Sequence, residues 1–158
     1  MTQISKLGMQ IVIIIISLNL IKIFSVPPGV ISGNGNPALL IIIPLLFLLV
    51  WFGLTWFTWL RKLKLSVLIK LLIIIISIVI IVFTIMQTTQ AFKNFEVEFI
   101  ENHERRYGGP IDNDYLEAIL DGKNIHTNYL YFNYTTFSIF VSVLNIVAIA
   151  SSLLWPPK

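Results

Sequence analysis

The chain has 158 residues, of which 56% are hydrophobic and 12% charged, with a formal net charge of +3 and no cysteine. Soluble domains carry roughly 25% charged residues, so a soluble globular class is excluded first, and the missing cysteines remove disulfides, thiolate metal sites and thiol redox chemistry together. The basic residues are scattered among apolar runs and form no single patch, which argues against a nucleic-acid interface and marks them as topology signals.

The 28 isoleucines beside only five alanines are what lipid-facing helices and an AT-rich bacterial genome would both give. Residues 7–26 form the first expected span, interrupted only by Gln10, Ser17, Asn19, Lys22 and Ser25. A secretory signal peptide has an apolar core of about 7 to 15 residues followed by a small-residue cleavage site. Here Lys22 lies late and Phe24-Ser25-Val26-Pro27 fits such a site poorly, so this helix is expected to be retained. Residues 27–37, with Pro27-Pro28-Gly29 and Gly33-Asn34-Gly35-Asn36-Pro37, read as an uncharged hairpin; no Lys-Ser/Thr follows, so it is no phosphate loop. Residues 38–60 carry no charge over 23 positions and form the second span, with a kink expected at Pro44.

The basic turn Arg61-Lys62-Leu63-Lys64 leads into the third span, residues 65–86, whose one charge, Lys70, lies close enough to that turn to snorkel. Residues 87–128 then hold all eight acidic residues of the chain beside four basic ones. The spacing of Phe92, Phe95 and Phe99 predicts that the third helix runs on past the membrane until Gly108-Gly109-Pro110 breaks it. Asp112 or Asn113 then caps a short amphipathic helix over about 114–121, with Tyr115, Leu116, Ile119 and Leu120 on its apolar face and Gly122 at its end. Residues 129–155 complete the fourth span, with Tyr129, Tyr131, Phe132 and Tyr134 at one end and Trp155 at the other, as interfacial belts require. Asn133-Tyr134-Thr135 also fits the N-glycosylation pattern, which matters only in a eukaryote.

These elements predict an all-α, polytopic membrane protein: one membrane domain of four transmembrane helices, with an extracytoplasmic segment of about 40 residues (87–128) between the third and fourth. Lys6, the 61–64 turn, Lys70 and Lys158 fall on one side of such a chain, so both termini are expected in the cytoplasm and the protein in the cell membrane.

Motifs for chemistry are tested and fail. His103-Glu104-Arg105-Arg106-Tyr107 lacks the second histidine of a zinc helix, and Asp112-Asn113-Asp114 continues into Leu116 and Ile119 where a calcium loop needs oxygen ligands. The layout of four spans with acids on the outer side is similar in size and topology to the lipoprotein signal peptidases, whose two aspartates sit in Asn-containing motifs. No N-x-x-D motif occurs here, so no residue takes over that role. The layout of four-helix quinone and vitamin K reductases is also similar, but their chemistry needs the cysteines this chain lacks. No Asp, Glu or His lies inside a span, which argues against a proton-coupled carrier. Polar stripes run down the fourth helix (Thr135, Ser138, Ser142, Asn145, Ser152) and the third (Lys70, Ser77, Thr84), and such stripes are mostly packing seams.

The expectation is a non-enzymatic protein acting by contact, as an accessory subunit or an immunity or sensor component. Ser138, Ser142 and Asn145 would then pack helices, and Tyr115, Leu116, Ile119 and Leu120 would meet a protein partner or a second copy. A small oligomeric pore is the second reading and a membrane enzyme using Asp112 and Asp114 the third. No cofactor or nucleic acid is implied, and the lipid bilayer is a partner throughout.

Overall fold

The computed structural model describes residues 2–31, 35–120 and 124–155. Their regular elements are all helical: α1 (Gln3–Ile23), α2 (Leu39–Lys62), α3 (Val67–Tyr107), α4 (Asn113–Leu120), α5 (Asn128–Tyr131) and α6 (Tyr134–Leu154). Four stretches, Gln3–Ile23, Leu39–Lys62, Val67–Tyr107 and Asn128–Leu154, are long and apolar enough to cross a membrane, so the protein is a multi-pass membrane protein. The expected hairpin tip at Gly33-Asn34, the helix end at Gly122 and the basic residue Lys158 lie outside the described residues.

Local chemistry sets where each helix begins and ends. α1 starts four residues before the expected span because the Thr2 hydroxyl accepts the Ser5 amide at 3.2 Å, which draws the polar residues Gln3 to Lys6 into the helix. It stops at Ile23, where the chain extends toward Pro27 and Pro28. α2 runs through Pro44, whose missing amide leaves only the Leu40 carbonyl without its intrahelical donor. α3 begins after Ser66, whose hydroxyl accepts the Ile69 amide at 3.4 Å, and ends at Gly108, a left-handed residue (φ 75°) whose amide donates to Glu104 O at 2.9 Å.

The length of α3 is the main departure from a simple bundle. Its 41 residues span about 60 Å, roughly twice a hydrocarbon core of about 30 Å. The first half of the segment expected as an outer loop is therefore the upper half of this helix.

The last span is divided. Asn133 interrupts it between α5 and α6: its Oδ1 accepts the Thr136 amide at 3.0 Å while the Thr136 hydroxyl accepts the Asn133 amide at 3.2 Å. Asn133 Nδ2 donates to the carbonyls of Tyr129 (3.1 Å) and Leu130 (2.8 Å), tying the break to the end of α5.

Gln3 and Trp155 lie at the same end of the bundle as Arg61. Gln3 Nε2 donates to Thr55 O and Thr58 Oγ1, both at 3.3 Å, and the Arg61 guanidinium donates to Trp155 O at 3.1 Å. We call this the basic end and the opposite one the cap end. α6 packs along α3 and α2, and α1 packs on α2, so α6 and α2 are the two inner helices of the bundle.

Lipid gives helices no hydrophobic reason to associate, so close approach and hydrogen bonds must hold them together. Small side chains supply the approach: Ser77, Ser142, Ala148 and Ser152 are all buried, and a Cβ on Gly53 would lie 3.4 Å from Phe140 Cζ. Phe52 of α2 sits between Trp56 and the α6 ring of Phe137, at centroid distances of 5.5 and 5.7 Å. The hydrogen bonds centre on Asn145 of α6. Its Oδ1 accepts from Trp56 Nε1 at 2.8 Å on α2, and its Nδ2 donates to Ser77 Oγ at 3.4 Å on α3. Ser138 is half-buried and bonds back to Tyr134 O at 2.8 Å, and Ser142 is fully packed.

Replacing Asn145 by Leu leaves the Trp56 N–H and the Ser77 hydroxyl without their partner. Hydrogen bonds between membrane helices contribute on average about 0.6 kcal/mol and up to about 1.7. Asn145→Leu should lower thermal stability in detergent by a loss in that range, and an unchanged melting temperature would contradict the bridging role.

Candidate functional site

The cap grows from the upper half of α3. Phe92, Phe95 and Phe99 fall at helical spacing on one face, and His103 continues the row one turn further. Away from the bilayer this stripe must be covered, and burying each ring is worth roughly 1.5–3 kcal/mol relative to exposing it. The break at Gly108-Gly109-Pro110 turns the chain back and lays α4 over it. Phe95, Phe99, Ile119 and Leu130 form the buried centre, with Phe92, Ile111, Tyr115, Leu116, Leu120 and Tyr129 around them.

The four residues expected to meet a partner are thus placed inward. Ile119 is buried, and Tyr115, Leu116 and Leu120 are half-buried against α3 and Leu130. What α4 presents outward is polar: Asp112, Asn113, Asp114 and Glu117 are exposed, as are Glu98, Glu101 and Glu104 on α3. Asp112 begins the helix, its Oδ1 accepting the Asp114 amide at 3.3 Å and its carbonyl the Leu116 amide at 3.0 Å. Among the described residues no three His, Cys, Asp or Glu side chains converge to hold a metal ion. Asp121 lies outside the described residues.

Asn124, which sequence reasoning passed over, ties the cap together. Its Nδ2 donates to the carbonyls of Ala118 (3.0 Å) and Ile119 at the end of α4. Its Oδ1 accepts from the amides of His126 (2.9 Å) and Thr127 (3.3 Å) and from the Thr127 hydroxyl (3.2 Å). One side chain therefore satisfies the open end of one helix and the entry to the next.

The hairpin after α1 closes the other side. Val26 N donates to Ile125 O at 3.3 Å, Ile31 N to the Tyr107 hydroxyl at 3.3 Å, and Asn128 Nδ2 to Asn36 Oδ1 at 2.8 Å. Gly29 (φ 78°) lies against the α3 backbone, where a Cβ would come within 2.5 Å of Asn102 Cβ and 2.8 Å of His103 N. Below the hairpin two small cavities, of about 270 and 250 Å³, meet at Lys22 and Tyr129; the second is also bordered by Glu98.

Two histidines flank Phe99. His126 meets it edge-on at 5.6 Å and His103 stacks on it at 6.5 Å, with the Tyr107 and Tyr115 rings 4.8 and 6.2 Å from His103. Both Nδ1 atoms are buried without a hydrogen-bond partner. Burial lowers the His126 pKa below the usual 6.5 and raises that of the Tyr115 hydroxyl, to which nearby Tyr107 adds.

Gly29→Ala should loosen the hairpin from α3. The left-handed conformation alone costs a side chain about 1–2 kcal/mol, a factor of roughly 5–30 in opening, and the backbone contact adds to it. Proteolysis within residues 24–38 in detergent should accelerate by at least that factor; an unchanged rate would contradict the close packing.

The sign of the His126 effect is fixed by its lowered pKa. An unfolded imidazole takes a proton near pH 6.5 while the packed ring resists it, so cap stability is complete above pH 6.5 and declines as pH falls from there through the packed ring's own lower pKa. Hydrogen exchange in residues 113–120 and 125–131, corrected for intrinsic rates, should rise between pH 7.5 and 5.0, and His126→Phe should remove most of the rise. A flat wild-type profile would contradict it.

Comparison with protein-family models, with curated proteins and with solved structures finds no match for this chain.

Proposed function

We propose that the protein acts by contact: a non-enzymatic membrane component, an accessory subunit or an immunity or sensor protein, that presents its cap to a protein partner outside a bacterial cell. The observation that carries this reading is the continuity of α3, which passes from the apolar span into the cap without a break. A stalk of that kind transmits position between the bilayer and an ordered surface above it. The surface is acid-rich, with Glu98, Glu101, Glu104, Asp112, Asp114 and Glu117 exposed, and so suits a basic partner. Lys6, Arg61, Lys62, Lys64 and Lys70 gather at the opposite end, which supports a cytoplasmic location for that end and for both termini.

A pore is the weaker reading because of where the α6 stripe points. Asn145 is bonded to α2 and α3, and Ser142 and Ser152 are buried, so the polar groups that would line a channel are engaged between helices.

Purified from its native membrane, the protein should carry a partner in fixed stoichiometry and should pass no ions in proteoliposomes. The triple reversal Glu101→Lys, Glu104→Lys, Glu117→Lys should cut partner recovery roughly tenfold or more, since like-charge juxtaposition costs several kcal/mol, with the melting temperature unchanged. A partner-free protein that conducts ions, or undiminished recovery by the variant, would overturn the reading. In the cysteine-free chain, Glu101→Cys should react with an impermeant maleimide in intact cells and Lys62→Cys should not; the reverse pattern would invert the orientation.

A further inference from the structure

A concavity of about 580 Å³ lies at the basic end, away from the cap. It is a lateral groove between the start of α1 and the last turns of α2. Lys6 and Lys62 border its polar end, Gln3 and Thr58 stand beside them, and Trp51 and Leu54 line its apolar end. Trp51 and Lys62 are eleven residues apart on one helix, so the groove extends about 16 Å along the bundle, close to one leaflet of a hydrocarbon core of about 30 Å.

Its charge has no counterpart among the described residues. Every described Asp and Glu lies on the upper half of α3 or on the turn and helix that follow it, so none of their carboxylates reaches the two ammonium groups. The polar seam beneath the groove is also incomplete: Gln10 is fully buried, its Nε2 donates to Thr55 Oγ1 at 3.4 Å, and its Oε1 has no donor. Two cations at the membrane interface, with hydrogen-bonding side chains beside them and an exposed indole below, match an anionic amphiphile whose chains lie in the bilayer.

We propose that this groove binds the headgroup of an anionic phospholipid, with Lys6 and Lys62 on the phosphate and an acyl chain along Trp51 and Leu54. The inference does not depend on the cap's partner or on the orientation in the cell. Each lysine near an anionic surface contributes about fivefold in local lipid occupancy, about 1 kcal/mol.

The test uses the full chain in vesicles of phosphatidylcholine containing a small fraction of either brominated phosphatidylglycerol or brominated phosphatidylcholine, with tryptophan quenching as the readout. The anionic brominated lipid should quench in clear excess over the zwitterionic one. Trp51→Phe should remove that excess and Lys6→Gln with Lys62→Gln should reduce it at least fivefold, whereas Lys64→Gln with Lys70→Gln, an equal loss of charge outside the groove, should leave it in place. Equal quenching by the two lipids overturns the proposal. So does an excess lost equally in both double variants, which would mean surface charge only. A Trp51 shielded from both lipids, as a second copy seated in the groove would leave it, also overturns it.

Discussion

The rest of the structure depends on one continuous ladder of main-chain hydrogen bonds. Within a bilayer a backbone must satisfy its own donors and acceptors, and α3 does so as a helix; nothing in its sequence stops that ladder where the membrane stops. The first residue that does is Gly108, in a left-handed conformation, at the end of 41 helical residues. About half of α3 therefore stands in water with three phenylalanines on one face. That exposed stripe is what the cap exists to cover, and α4, the hairpin after α1 and the 124–131 segment are each bonded or packed to it or to one another.

Inside the membrane the same physics works with different means. Lipid competes equally for apolar side chains, so specificity falls to a few close approaches and to interhelical hydrogen bonds, chief among them those of Asn145, which reaches both α2 and α3. α3 is held there by α6, and α6 by α2, so the orientation of the stalk is set by a seam of small residues and one carboxamide. Position in the bundle and order in the cap are thus set by two ends of one continuous helix.

Much of this was legible from the residues. Hydropathy finds the four spans, the spacing of Phe92, Phe95 and Phe99 carries the third helix onward, and Gly108-Gly109-Pro110 marks its end, because each signal is local. Where reading failed, the deciding group was polar or distant. Thr2 recruits Gln3 to Lys6 into α1, although their polarity argued for a later start. Asn133 divides the last span through Thr136, where a Glu or Gln would have announced a capping box. The apolar face of α4 was visible as a face, but periodicity says only that something covers it; that its cover is the chain's own α3 depends on the length of that helix. Asn124 gave no signal, since it acts by joining segments, and Gly29 was legible as a turn glycine (φ 78°) but not as a close contact, since it acts by lacking a side chain against a backbone 73 residues away at Asn102.

The central claim, that α3 is one helix from the bilayer into the cap, is open to a direct distance measurement in the cysteine-free chain. Nitroxide labels at Ile76→Cys and Glu101→Cys, both exposed on α3, are 25 residues apart in the sequence. In lipid nanodiscs, pulsed electron resonance should give a single narrow distribution centred near the helical separation of about 38 Å. A broad distribution, or one centred well below that distance, would show that the helix ends or bends at the membrane surface and would contradict the account.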